Sequence, residues 1–207
     1  RWFLEHVHLP KIGICHGTPQ FVGQYGLLPD VETIEVHESD RLRAVELLQD
    51  VHVVLNSWEA HDQWRFRHAQ VIWHGFDPQE FPAANYERGV LSHGVDESRP
   101  HYRGAAEYRR VRAALDSDIP IETEHHAGAP LFPRDTNAFA WANFRSYVDH
   151  IRRFTAYLNT TLRSPMPRSR GEAMMCGVIP VTLRNQDADH FIRHGVNGFY
   201  SDVPEEL

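Results

Sequence analysis

Residues 167–181 read PRSRGEAMMCGVIPV, a stretch that places two arginines, a glycine and a glutamate in front of a short apolar helix. We expect this helix to stop at Cys176-Gly177 and to run into a strand. Ser169 and Glu172 stand in S-x-x-E spacing, which is typical of a helix cap. A carboxylate and two guanidinium groups at a helix N-terminus also fit a site for a phosphorylated ligand. The stretch alone does not decide between the two interpretations.

The chain has 207 residues, 42% of them hydrophobic and 24% charged, which suits a globular protein of one large domain or two small ones. Its net charge of −7 argues against a protein that coats nucleic acid. No apolar run approaches the ~20 residues that cross a bilayer, and no signal-peptide pattern opens the chain. We therefore expect a cytosolic enzyme or binding protein, and its first and last residues suggest a fragment. Cys15 and Cys176 lie in apolar runs and are interpreted as reduced packing residues.

Short apolar runs rich in β-branched residues alternate with helical patterns, which predicts an α/β fold with parallel strands. In the first part of the chain the predicted strands are KIGIC (11–15), ETIEV (32–36), HVVLN (52–56) and QVIW (70–73). The predicted helices there are 38–49 and 57–69, and the second begins at a Ser57 cap. The polar stretch 74–87 carries two prolines and breaks the alternation, so we place a domain boundary within it.

The same alternation returns after this boundary. The predicted strands are 88–94, 119–124, 156–161 and 178–183, and the predicted helices, besides the one in the opening stretch, are 103–115, 138–154 and 187–195. A Gly/Pro loop with adjacent histidines, 124–137, is interpreted as a solvated connector.

The passage from the strand at 156–161 into the helix of the opening stretch resembles a ligand site, because open α/β sheets bind ligands at the carboxyl ends of their strands. Arg168 and Arg170 can pair with phosphate oxygens, and Gly171 can let a ligand approach the backbone. The carboxylate of Glu172 can accept hydrogen bonds from both hydroxyls of a ribose. A nucleoside diphosphate would satisfy all of these groups, and a plain helix cap remains the alternative.

The stretch from 164 to 199, with EAMMCGVIPVT and then HFIRHGVNGFY, closely resembles the carboxyl-terminal signature of the retaining GT-B glycosyltransferases, the glycosyl transferases of group 1. VHVVLNSWEAHDQWRFRHAQVIWHGFDPQEF (51–81) resembles the linker passage of that family, and KIGICHGTP (11–19) is similar to an amino-terminal strand ending in H-g-x-P. The resemblance implies two Rossmann-like parallel-sheet domains that face a cleft. They would be an incomplete acceptor-side domain, 1–76, and a domain that binds a nucleotide-sugar donor, 77–207.

The resemblance also implies an activity and a set of residues. The activity is transfer of a sugar from a nucleotide-diphosphate sugar, with retention of configuration, to an acceptor that the sequence does not identify; acceptors in the family include nucleic-acid bases. Glu172 occupies the position of the glutamate that contacts the ribose, and His16 that of a histidine near the donor phosphates and sugar, so both are catalytic candidates. The implied donor-binding residues are Arg99, Arg103, Ser164, Arg168, Arg170, Gly171 and Glu172.

Two of these positions affect the expected chemistry. Ser164 stands where relatives carry an acid that touches the transferred sugar, and a serine can form hydrogen bonds but brings no charge. Arg99 and Arg103 correspond to an arginine and a lysine that neutralise the diphosphate leaving group. With these arginines no metal and no cofactor is expected, and the nucleotide sugar is a co-substrate.

Two other functions fit the sequence. The serine at 164 also suits a catalytically silent relative that binds a nucleotide sugar or nucleotide without transferring the sugar. His6 and His8 suit a metal-dependent hydrolase, with His74 or Asp189 as further ligands.

Overall fold

The computed structural model describes residues 2–19, 37–86, 89–95, 104–116, 118–125, 137–164 and 166–207. The strand predicted at 32–36, most of the loop at 124–137, and both Arg99 and Arg103 lie outside these residues. The chain forms two compact units. The first unit comprises Arg1–His74 and Ser164–Met166, and the second comprises Gly75–Arg163 and Pro167–Leu207.

The first unit is built on a three-stranded parallel sheet in the order β1-β2-β3. The strands are β1 (Lys11–Cys15), β2 (Val51–Leu55) and β3 (Ala69–Val71), and the helices are α1 (Trp2–His6), α2 (Glu38–Leu47) and α3 (Trp58–Trp64). Alternate residues of β2 point to opposite faces, so that Val51, Val53 and Leu55 are buried while His52 is exposed. These three side chains form a core with Ala44, Ala60, Trp64 and Phe66.

Helix α3 begins where the sequence predicts. The Ser57 hydroxyl accepts a hydrogen bond from the backbone N–H of Ala60 at 3.0 Å, which confirms the predicted N-cap. The predicted end at residue 69 is wrong, because Arg65 adopts the left-handed conformation (φ 57°, ψ 44°) and stops the helix after Trp64. The residues that follow are then free to form β3.

The second unit contains a five-stranded parallel sheet in the order β5-β4-β6-β7-β8. The strands are β4 (Val90–Val95), β5 (Ile121–His125), β6 (Ala156–Asn159), β7 (Ile179–Leu183) and β8 (Phe199–Ser201). The helices are α4 (Ala105–Ala114), α5 (Asn137–Ile151), α6 (Arg168–Cys176) and α7 (Ala188–Phe191), with 3-10 turns at Pro78–Glu80 and Pro204–Glu206. The strand β8 is not expected from the sequence pattern, and α7 is shorter than the predicted helix 187–195.

The strand order creates a switch point in this sheet. Strands β4 and β6 are neighbours, with β5 on the far side of β4 and β7 on the far side of β6. The connection that leaves β4 therefore runs toward one edge of the sheet, and the connection that leaves β6 runs toward the other. In open α/β sheets ligands bind at the carboxyl ends of the strands at such a point. The core beneath the sheet joins α5 and α6 to β4 and β6, and comprises Phe81, Leu91, Val148, Ile151, Tyr157, Ala173, Cys176 and Val178.

The described residues include no helix of the length and apolar character required to span a membrane.

Candidate functional site

Two helices begin at the carboxyl edge of the second sheet, one on each side of the switch point. Helix α4 follows β4 and starts after Gly104, and helix α6 follows β6 and starts at Arg168. Gly104 has a positive φ of 66°, and a Cβ there would lie 1.8 Å from the carbonyl oxygen of Thr160. The start of α4 therefore packs directly on the residue after β6. Because a helix N-terminus has unpaired N–H groups and partial positive charge, this edge favours an anion.

An ion pair that is only partly exposed joins the first residue of α6 to a residue one turn further along the helix. The Nε atom of Arg168 donates a hydrogen bond to Oε1 of Glu172 at 2.8 Å. The Glu172 side chain is 7% exposed and the Arg168 side chain 56% exposed, so the carboxylate is buried while the guanidinium reaches solvent. The guanidinium carbon of Arg168 also lies 5.8 Å from the centroid of the Phe76 ring, within the range of a cation–π contact.

The S-x-x-E pattern does not form a capping box. Pro167 is the N-cap of α6 and makes no side-chain cap hydrogen bond to a described residue. Ser169 lies inside the first turn, where its hydroxyl accepts a hydrogen bond from the Tyr157 hydroxyl at 2.7 Å. Since Glu172 is paired with Arg168 instead, the cap interpretation is wrong. The helix starts two residues too early for Ser169 to cap it.

Gly171 is required by the protein's own packing. A Cβ at this position would lie 2.4 Å from Cζ and 2.6 Å from Cε2 of Phe76. The Phe76 ring therefore occupies the space that the sequence analysis assigns to an approaching ligand. Phe76 lies in the linker motif WHGFDP. Its position in this motif is the feature of the sequence that could have suggested a role for it.

Arg170 has a structural role in the described contacts. It is 2% exposed, and its Nη2 donates a hydrogen bond to the carbonyl oxygen of Gln186 at 2.6 Å. The Gln186 side chain in turn donates from Nε2 to the carbonyl oxygen of Thr161 at 2.7 Å. Arg170 thus ties α6 to the segment after β7, and Gln186 ties that segment to the one after β6. The burial of Arg170 does not suit the phosphate contact expected from the sequence. Nothing in the local sequence separates Arg170 from Arg168 in this respect.

Buried polar side chains also line the carboxyl edge of β6 and β7. Asn159 and Thr182 are register partners on neighbouring strands and are at most 1% exposed. Asn159 accepts a hydrogen bond from the Thr161 N–H at 3.1 Å. Among the described residues, neither Asn159 Nδ2 nor Thr182 Oγ1 has a hydrogen-bond partner. This edge therefore retains buried hydrogen-bonding capacity.

His16 lies at the carboxyl edge of the first sheet, directly after β1, where the sequence places it. Its imidazole stacks on that of His74, with ring centroids 6.0 Å apart and planes 9° from parallel. His74 Nε2 lies 3.3 Å from the side-chain nitrogen Nδ2 of Asn56, the residue that follows β2. Trp64 Nε1 donates to the Gly17 carbonyl at 2.7 Å and anchors the loop that carries His16.

The remaining predicted residues are placed as follows. Ser164 is half-buried and belongs to the first unit. In the part of the chain that is described, no three His, Cys, Asp or Glu side chains are grouped so that they could hold a metal ion. The hydrolase interpretation, which needs ligands beyond His6 and His8, therefore has no supporting geometry there. Asp189, one of its suggested ligands, lies 3.5 Å from the guanidinium of Arg184.

Comparisons with known proteins give structural matches only. No protein-family model and no curated protein matches the sequence. HepE from Anabaena, solved with UDP and glucose, matches with a TM-score of 0.64 and 16% identity over 96% of this chain and 60% of its own. Sucrose-phosphate synthase from Thermosynechococcus elongatus matches with a TM-score of 0.66 and 11% identity over 96% of this chain and 56% of its own.

A glycosyltransferase from Rickettsia africae is a third match, with a TM-score of 0.59 and 12% identity over 94% of this chain and 57% of its own. The chain thus spans less than two thirds of the length of each of these proteins. At such identities the likeness concerns the fold. It confirms the expected class: the two parallel-sheet α/β units of this chain have the fold of the GT-B glycosyltransferases.

Proposed function

We propose that this chain is the donor-binding part of a glycosyltransferase that transfers a hexosyl group from a nucleotide-diphosphate sugar to an acceptor. The observation that carries the proposal is the buried Glu172 paired with a solvent-reaching Arg168 at the start of α6, beside the switch point of the sheet. The fold shared with HepE, which was solved with UDP-glucose, supports it.

The ribose and the diphosphate of such a donor call for different groups. A ribose offers two neighbouring hydroxyl donors, and Glu172 is a carboxylate that can accept from them. A diphosphate calls for positive charge and N–H donors, which Arg168 and the N-terminus of α6 provide. We propose the same role for Arg99 and Arg103, on the basis of their positions in the sequence.

In the proposed reaction the bond between the anomeric carbon of the sugar and the diphosphate oxygen breaks, and the diphosphate leaves with the electron pair. A nucleophilic atom of the acceptor forms the new bond to the anomeric carbon, and its proton passes to the departing diphosphate. Positive charge at the leaving group stabilises the transition state, and the arginines can provide this charge without a metal ion. Retention of configuration and a catalytic contribution from His16 are further proposals that follow from the sequence resemblance.

The test is calorimetric binding of UDP, GDP and ADP to the wild-type protein and to Glu172→Gln. One of the three should bind, and the substitution should weaken that binding by about tenfold or more, since a hydrogen bond to a charged group contributes ~1.5–3 kcal/mol. Glu46→Gln, a matched change on an exposed part of α2, should bind as the wild type does. Failure of all three nucleotides to bind, or equal binding by both variants, would contradict the proposal.

Binding without transfer is a second candidate, and the observation that favours it is Ser164, which places no charge at a position where relatives carry an acid. The two candidates differ in the behaviour of the whole protein. The full-length protein is incubated with the nucleotide sugar that corresponds to the nucleoside diphosphate it binds. A transferase should release that nucleoside diphosphate. Tight binding with neither transfer nor donor hydrolysis would favour the silent relative.

A further inference from the structure

The Phe76 ring is held between the core of the second unit and the first turn of α6. On one side it packs edge-to-face on Phe81, with centroids 5.9 Å apart, and Phe81 belongs to the buried core. On the other side its Cζ and Cε2 atoms occupy the space above Gly171. Asp77 fixes the backbone next to it by accepting a hydrogen bond from the Gln79 N–H at 2.9 Å. The position of the ring is therefore set from both sides.

The same ring supports the side chain that holds Glu172. The guanidinium of Arg168 lies over the Phe76 face at 5.8 Å, and its Nε binds Glu172 at 2.8 Å. Arg168 is half exposed, so without a support its long side chain would sample several rotamers. Contacts therefore run without a break from the core through Phe76 and Arg168 to the carboxylate.

We propose that Phe76 is a positioning residue for the ribose of the donor: it fixes Arg168, and through Arg168 it fixes the orientation of Glu172 toward the ribose hydroxyls. The inference rests on the proposed function, since it assigns Phe76 to the same nucleotide site. Phe76 itself touches no donor atom in this scheme. Its removal frees the Arg168 side chain and so weakens both the hydroxyl contact of Glu172 and the phosphate contact of Arg168, and only the first of these effects depends on the 2′-hydroxyl.

The test compares a nucleoside diphosphate with its 2′-deoxy counterpart, using whichever of UDP, GDP and ADP binds the wild-type protein. The ratio of the two dissociation constants reports the 2′-hydroxyl contact, and we expect a value of about ten in the wild type. Phe76→Leu should reduce this ratio at least threefold. Phe76→Met, whose side chain has about the volume of leucine but is unbranched and adapts better to an irregular space, also lacks an aromatic face. It should do the same and is the variant to use if the leucine variant does not fold.

Phe154→Leu is the matched control, because Phe154 packs on the same core but its ring lies edge-to-face against His150 on α5. It should lower the melting temperature and leave the ratio unchanged. A normal ratio in a folded Phe76 variant overturns the inference and leaves the proposed function in place. Absence of nucleotide binding to the wild-type protein overturns the proposed function and this inference with it.

Discussion

Arg168 and Glu172 stand one helical turn apart in α6 and are joined by a hydrogen bond of 2.8 Å from Nε to Oε1. The arginine is half exposed but the carboxylate is only 7% exposed, so the pair supplies a donor to a buried acceptor. Its contribution to stability therefore exceeds the ~0.3–0.5 kcal/mol of an exposed i,i+4 pair. The same hydrogen bond holds the carboxylate in one place.

Replacement of Arg168 by Gln should affect both stability and binding. We expect the free energy of unfolding to fall by about 1–3 kcal/mol, because the buried carboxylate of Glu172 loses its donor. The affinity for the nucleoside diphosphate should fall by about tenfold, because both the charge near the phosphates and the support of Glu172 are lost. Urea denaturation and calorimetry measure the two quantities. Arg152→Gln, which breaks a comparable pair with Asp149 at 2.9 Å, should leave binding unchanged.

Gly171→Ala tests the close approach of Phe76 to α6. Alanine favours a helix by about 0.8–1.0 kcal/mol over glycine, but here its Cβ would meet the ring at 2.4 Å. Overpacking of this kind should lower the free energy of unfolding by about 1–3 kcal/mol. A second substitution, Phe76→Leu, should recover part of that loss, and Gly75→Ala is the matched control because no described atom lies within 4 Å of its Cβ.

Regular periodicity explains why most strands and helices could be predicted from the sequence. Strand β2 alternates buried and exposed residues, and α6 ends at Gly177, whose φ of 84° suits a glycine. Both signals are local, so a single sequence contains them. The early end of α3 could not be predicted, because Arg65 adopts a left-handed conformation that its residue type does not indicate.

The roles within the candidate site depend on contacts that are distant in sequence. Arg168 and Arg170 are equivalent as sequence letters, yet one reaches solvent and the other is buried against the Gln186 carbonyl. From the sequence, Gly171 suggests space for a ligand, but in the structure the Phe76 ring fills that space. Spacing could therefore suggest residues for a candidate site, while their individual contacts required the tertiary structure.

Arg170→Met should destabilise the protein through the loss of a buried partner. The substitution leaves the Gln186 carbonyl without the Nη2 donor at 2.6 Å, and an unsatisfied buried acceptor costs about 1–3 kcal/mol. We expect a lower urea midpoint with an unchanged denaturant slope. Arg184→Met, at a half-exposed arginine 3.5 Å from Asp189, is the control and should change the midpoint little. Equal effects of the two substitutions would contradict the structural role of Arg170.

Trp64→Phe should loosen the loop that carries His16. The indole Nε1 donates to the Gly17 carbonyl at 2.7 Å, while the ring stacks on Phe66 at 4.9 Å, and phenylalanine preserves only the second contact. We expect a loss of about 0.5–1.5 kcal/mol of stability and faster amide exchange in the loop. Trp58→Phe changes an exposed indole and should leave exchange in the loop as it is. Unaltered exchange at Gly17 and Thr18 in the Trp64 variant would argue against the anchor.

The ionisation of Cys176 should make the free energy of unfolding depend on pH in the alkaline range. Burial raises the pKa of this thiol from 9.0 to about 11, while Arg152 opposes the rise and Glu172 and Asp149 add to it. Because the native state holds the thiol proton more tightly than the unfolded state, the stabilisation is fully present below pH 9. It is lost as the pH rises from there through about 11.

The measurement is the difference in the free energy of unfolding between the wild-type protein and Cys176→Ala, at pH values from 8 to 11. Groups that titrate in both proteins cancel in this difference, and the packing lost with the sulfur is independent of pH. The advantage of the wild type should therefore be constant at first and should shrink above pH 9. A difference that stays constant up to pH 11 would show that the thiol is not held in its protonated form by burial.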